Sequence, residues 1–273
     1  MRTYEALSAA YFLLLAIVGL FAPADRSRRA VGCLCALAGV VLVSGISMTA
    51  AAVRDWAPLA YIAAGYWIPS LFVTSTGTAA RPLVDTRREP VTATITGFER
   101  WLLRADTLLR PWLPSIPAWT VPVFEVAYLA CYPLVPIGFL LVFIGGSPDD
   151  VNRFWSAVLT SGYACYGTLP WLQSRPPRVL APAPHTPPSI ARINAFVLSR
   201  ISHGWNTFPS GHAAMSFAVA LALVPVSVTA AIAAAIVATG VAIGAAAGRY
   251  HFAIDVLIGA VVAGVSGGVV FGL

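Results

Sequence analysis

Pro209-Ser210-Gly211-His212 opens an apolar run, and His251 and Asp255 follow 39 and 43 residues after that histidine. Between His212 and Arg249 lie 36 residues without a single charge. At 1.5 Å rise each they make about 54 Å of helix, enough to cross a roughly 30 Å hydrocarbon layer and return almost fully. Pro225-Val226-Ser227 supplies the break near the middle. Arg249, His251 and Asp255 are thereby returned to the membrane face that holds Ser210 and His212. Two histidines, a carboxylate and an arginine gathered there point to phosphate chemistry.

Each piece has a chemical reading and a plainer one. Proline in a first helical turn loses nothing by lacking an N–H, and the free amides of that turn, backed by the helix dipole, attract an anion. Gly211 lets backbone approach a phosphate oxygen, Ser210 adds a hydroxyl donor, and His212 projects beside the bound group; the plainer reading is a capped helix with an interfacial histidine. His251 and Asp255, four apart, share a helix face if the last span begins near residue 251. The carboxylate then holds one ring nitrogen and leaves the other as nucleophile or base. A simple capping pair would look the same. Arg175 and Arg178 follow the fifth apolar stretch on the same face, and Arg249 precedes His251. Guanidinium groups bind phosphate through paired donors, though any one of them could instead anchor to lipid headgroups.

The composition decides what positions these residues. Of 273 residues 58% are hydrophobic and only 10% charged, against about 25% charged in a soluble domain. Such a chain is expected to be an all-α polytopic membrane bundle, because helices satisfy their own backbone in lipid. Eight spans are expected near 6–22, 30–53, 56–73, 119–145, 151–172, 209–225, 228–248 and 253–272, the third being short and carrying Pro58 and Pro69. Arg26-Ser27-Arg28-Arg29 directly after the first span favours a retained span over a cleaved signal peptide. All seventeen basic residues are arginine. With eight spans, fourteen of them fall on the motif face and three on the other, which places that face in the cytosol. The net charge of +6 sits in loops and suits a membrane surface, not a nucleic acid. Cys33, Cys35, Cys131 and Cys165 lie inside apolar runs without metal-ligand spacing and read as packing residues.

Two long loops on the motif face are placed to roof a site. In the first, residues 99–110 alternate at helical spacing, with Trp101, Leu102, Leu108 and Leu109 expected on the membrane and the charges expected in water. In the second, Ile190 to Ile201 reads as another interfacial helix; His185 reads as solvated, and His203 as an unassigned neighbour of the motif. Gly240, Gly244, Gly248 and Gly264, Gly268, Gly272 form rows expected to let helices approach closely.

Arg175-Pro176, Pro209-Ser210-Gly211-His212 and Arg249-Tyr250-His251-x-x-x-Asp255 together resemble the three motifs of the type 2 phosphatidic acid phosphatase family, over about residues 119–272. Glu99, Asp106, Glu125 and Tyr128 carry a weaker similarity to its inositol phosphorylceramide synthase branch. The resemblance implies a six-helix phosphatase-like core in residues 56–273, with interfacial loops 74–118 and 173–208, and accessory spans in 1–55. It implies His251 as the nucleophile that becomes phosphohistidine, Asp255 as its orienting partner and His212 as the acid. Arg175, Arg178, Ser210, Gly211 and Arg249 would hold the phosphoryl oxygens, with no metal or cofactor. The implied substrate is a lipid phosphate or polyprenyl (pyro)phosphate hydrolysed in the cell membrane. Two positions depart from the family pattern: Thr168 stands where a lysine is usual, and Gly244-Ala245 where Ser-Arg is usual. Two other readings stand beside hydrolysis: headgroup transfer to a lipid alcohol, and a non-catalytic transporter or lipid-binding protein. The latter would be marked by mid-span charges or paired broken helices.

Overall fold

The computed structural model describes residues 1–74, 95–111, 117–180 and 188–272; Arg81, Arg87, Arg88, His185 and the remainder of the two long loops lie outside them. Among the described residues every regular element is helical. In order these are α1 (Thr3–Gly19), α2 (Arg26–Ile46), α3 (Ala51–Trp56), α4 (Pro58–Trp67), α5 (Gly97–Leu109), α6 (Val121–Leu129), α7 (Cys131–Gly145), α8 (Pro148–Tyr166), α9 (Pro177–Leu180), α10 (Pro188–Ile201), α11 (Gly211–Leu223), α12 (Val228–Ala247) and α13 (Ala253–Phe271).

All eight expected spans fall on helices, but few are long and apolar enough to cross a membrane alone. By that measure α2, α12 and α13 qualify, and α6 with α7 makes a fourth if the bent pair counts as one span. That pair bends by 48°. The cause is local: Pro133 has no N–H and its ring crowds the carbonyl of Leu129, so the helix breaks at Ala130. The 56–73 stretch is likewise broken at Ala57, ahead of Pro58, and ends as a 3₁₀ turn from Ile68 to Phe72. α11 is held to 13 residues between Ser210 and the turn at Pro225.

Only 22% to 39% of the apolar windows of α2, α12 and α13 are buried. Val41, Ile236, Val265 and Val269 all point outward, an arrangement that water penalises and hydrocarbon does not. α11 lies at the centre, packed against α7, α8, α12 and α13. The N-terminal helices join the same core. Tyr11 stacks on Tyr163 of α8 at 3.9 Å, and Tyr163 donates to Ser8 at 2.9 Å. Arg54 forks onto Glu5 at 2.7 and 2.8 Å, closing α3 onto α1.

The glycine rows divide. In α12, a Cβ on Gly244 would lie 2.3 Å from the Phe124 carbonyl oxygen, so close packing holds there. In α13 the packed glycines are instead Gly259, 2.6 Å from the Ser210 carbonyl oxygen by the same measure, and Gly267 against Leu221; Gly264 faces open space. The fourfold row had the right residue type on the wrong helix face. Gly259→Ala is expected to destabilise the fold by about 1–3 kcal/mol, because backbone and not a flexible side chain blocks the methyl. Thermal unfolding in detergent micelles should show that loss, while Gly264→Ala leaves the midpoint unchanged.

Candidate active site

Ser210 caps α11: its hydroxyl accepts from the Ala213 amide at 3.4 Å, and its own N–H donates to the Asp255 carbonyl at 3.0 Å. Gly211 is required by close approach, since a Cβ there would lie 2.3 Å from the Tyr166 ring. Both residues are buried. Their local roles are a cap and a helix contact. His212 then emerges from the first turn, its ring 5.4 Å from Tyr128, 5.6 Å from Tyr132 and 5.5 Å from His251.

The turn between α12 and α13 delivers His251. The Tyr250 and His251 amides both donate to the Ala245 carbonyl, at 2.9 and 3.0 Å, so the chain folds back tightly on the end of α12. Arg249 takes the strain of that reversal, with φ at 59°. A non-glycine residue held there costs on the order of 1 kcal/mol or more, and such positions cluster at functional sites. His251 Nδ1 lies 3.6 Å from Asp255 Oδ2. That oxygen accepts hydrogen bonds from the Phe252 amide at 3.1 Å and from Asn206 Nδ2 at 2.8 Å. Asn206 in turn donates to the Ser174 hydroxyl at 3.0 Å, and its amide donates to the Ser174 carbonyl at 2.8 Å. The segments bearing Arg175, His212 and Asp255 are thus pinned together through one asparagine.

The three arginines are placed differently. Arg178 lies over the Tyr250 ring at 4.4 Å and lines a cavity with His212 and His251. Arg175 is buried and forks onto Glu99 of α5, with Nε to Oε1 at 2.8 Å and Nη2 to Oε2 at 2.7 Å. Arg249 is partly buried near Arg110 and Asp106, and its Nε has no hydrogen-bond partner among the described residues. The cavity has a volume of about 20 Å³, room for one or two waters. A phosphoryl group is larger than this cavity, so its lining would have to part to admit one. Among the described residues no group of three His, Cys, Asp or Glu is placed to hold a metal ion.

Several residues at this site were not assigned a structural part from the sequence. Asn206 is one. On α5, Glu99, Leu102 and Asp106 form a single buried stripe, while Trp101 and Leu108 are exposed. This corrects the expectation that the charges of residues 99–110 face water: two carboxylates and a leucine, spaced three and four apart, face the protein. Both departures from the family pattern have structural roles. Thr168 donates to the Phe208 carbonyl, tethering the segment before Ser210, and Ala245 supplies the carbonyl that folds the His251 turn. Tyr250 stacks on Tyr128 at 4.1 Å and donates to Glu125, which also accepts from Asn194 of α10. His203 stacks on Tyr66 at 4.1 Å and accepts from the Trp205 amide at 3.2 Å.

Burial, reinforced by Arg178, pushes the His251 imidazole down to about 3, so it is neutral at pH 7. Burial, then His212, does the same to His203. Burial raises the Glu99 carboxyl, but the Arg175 hydrogen bonds outweigh it and hold Glu99 below its ordinary value. For the histidines the sign is set by the unfolded chain, where imidazole binds a proton near pH 6.5. As pH falls below 6.5 the unfolded state gains protons that folded His203 and His251 refuse. Unfolding midpoints in micelles should therefore fall between pH 6.5 and 4, and less steeply in the His203→Asn, His251→Asn double variant.

The family model of the PAP2 superfamily matches residues 154–273, the part of the chain that carries all three motifs. That match bears out the resemblance read from Arg175, Pro209–His212 and His251–Asp255 to a superfamily of phosphatase- and phosphotransferase-type enzymes. Comparison with curated proteins and with solved structures returns no match.

Proposed function

We propose that this chain, through its PAP2-superfamily region, is an integral membrane phosphatase acting on a lipid phosphate or polyprenyl (pyro)phosphate. The observation that carries the reading is the convergence of His212, His251 and Arg178 on one cavity, with Asp255 beside Nδ1 of His251. With the 3.6 Å gap closed to hydrogen-bond length on substrate binding, Asp255 orients the imidazole through Nδ1 and leaves Nε2 for attack. Neutrality at pH 7 keeps that lone pair available.

Nε2 forms a bond to phosphorus as the bond from phosphorus to the leaving oxygen breaks. His212 gives that oxygen its proton, so a lipid alcohol, or a shorter phosphate from a pyrophosphate, departs. Water then loses a proton to His212 and attacks the phosphohistidine; inorganic phosphate leaves and His251 is restored. A bound phosphate anion supplies the negative charge that favours protonated His212. Of the arginines, Arg178 is the one already facing the cavity and is cast as the main clamp on the developing charge. Arg175 and Arg249 are assigned secondary contacts, and Ser210 and Gly211 act by shaping the first turn of α11. The exposed apolar surfaces of α2, α12 and α13 keep a substrate's hydrocarbon tail within reach of this face.

With the purified chain in detergent micelles, His251→Ala should abolish phosphate release from lipid phosphates. His212→Ala should lower kcat by about 100- to 10,000-fold. Hydrolysis that survives His251→Ala would remove the nucleophile assignment, and phosphate release that appears only with an added alcohol would replace hydrolysis by transfer. We further assign the site to the cytosolic face, on the arginine distribution. A single cysteine replacing Arg104, on a background without the four native cysteines, should resist impermeant maleimide in intact cells and react after lysis.

A further inference from the structure

We propose that the Asp106–Arg110 ion pair of α5 is a positioning device for the nucleophile turn, a role that rests on the phosphatase reading of His251. The pair grips that turn at both ends. Arg110 Nη1 donates to the Ala246 carbonyl at 3.2 Å, and Asp106 Oδ1 accepts from the Ala253 amide at 2.9 Å. Arg110 Nη2 and Asp106 Oδ2 are paired with each other, four residues apart on one helix.

The two gripped groups stand at facing helix ends. Ala253 is the first residue of α13, where amides lack internal acceptors, and Ala246 lies in the last turn of α12, its carbonyl also accepting from the Arg249 amide at 3.2 Å. A guanidinium at a C-terminus and a carboxylate at an N-terminus also match the two helix dipoles. Asp106 is 2% exposed, so the grip operates away from water. Between the gripped atoms lies the segment holding Arg249, in its left-handed conformation, and His251. Within it the His251 amide is tied to Ala245 and the Tyr250 ring to Tyr128; the α5 pair adds a hold at both ends, and so on the 5.5 Å approach of His251 to His212.

The same helix reaches a second motif. Glu99, seven residues before Asp106 and about 10 Å along the helix, forks onto Arg175. Leu102 is fully buried between the two carboxylates. One face of α5 therefore ties the arginine segment to the nucleophile turn, although α5 lies outside the region matched by the family model.

The test uses the full chain in detergent micelles, with phosphatidate in mixed micelles as the probe. Asp106→Ala and Arg110→Ala should each lower kcat by about 100-fold, as for a small misplacement of a reacting group, while KM stays within about threefold. The double variant should be no worse than either single one, because both remove one device. Asp106→Asn keeps a carbonyl acceptor for Ala253 and should recover part of kcat. Independently of activity, backbone hydrogen exchange at residues 248–253 should accelerate in Asp106→Ala but not in α1 or α2. Unchanged exchange there, or a kcat loss that only tracks the folded fraction, would overturn the clamp. If exchange accelerates while the wild-type chain releases phosphate from no lipid, the clamp stands and the phosphatase reading fails.

Discussion

The contact between α11 and α13 at Ser210 and Gly259 is the constraint on which the rest depends. With no side chain on Gly259, the start of α11 lies against α13, and the Ser210 amide reaches the Asp255 carbonyl at 3.0 Å. That approach sets His212 and Asp255 in register on neighbouring helices. At the centre of the bundle, α11 presents buried Ala213, Ala214, Ala218, Ala220 and Ala222 to helices packed on several sides. Close packing of small residues here does what hydrophobic burial does in soluble cores.

Around that contact the motif face is unusually polar for so apolar a chain. Glu99, Asp106, Glu125, Arg175, Asn194, Asn206, His251 and Asp255 are all buried. Buried charge is costly unless paired and hydrogen-bonded. Here Glu99 takes Arg175, Asp106 takes Arg110 and a helix-end amide, and Asp255 takes Asn206 and the Phe252 amide. The carboxylates thus order arginines and helix ends, while the imidazoles of His212 and His251 are left with few partners. Nδ1 of His212 and Nδ1 of His251 have no hydrogen bond among the described residues. That imbalance suits groups whose partners arrive with substrate.

Much of this was legible because the signals are local. A charge-free run of known length, broken by Pro225 and ended at Arg249, fixes where His251 must emerge; a Ser-Gly-His start fixes the first turn of α11. The His251–Asp255 spacing was read as a shared helix face, but α13 begins at Ala253, and the two meet because the turn before the helix folds His251 back toward its first turn. The long loops hid the rest. An amphipathic pattern says that one face of α5 is polar, but not whether water or an arginine meets it, and the answer for Glu99 and Asp106 lies 76 and 147 residues away. Asn206 gives no signal in a single sequence, being one polar residue in a loop. Helix lengths were hidden for a related reason: hydropathy reports apolar length, while Pro58 and Pro133 decide where a helix breaks.

Arg249 carries a further consequence. Its backbone sits at φ 59°, directly after Gly248, in a conformation glycine adopts freely and arginine does not. Folding and chemistry therefore pull in opposite directions at one position. A search for heat-tolerant variants would favour a glycine there, relaxing the turn at the loss of the guanidinium near Arg110 and Asp106. In this chain the cation is kept, and the strained turn is held by bonds on either side: the Arg249 carbonyl accepts from the Arg178 amide, and the Tyr250 and His251 amides close on Ala245.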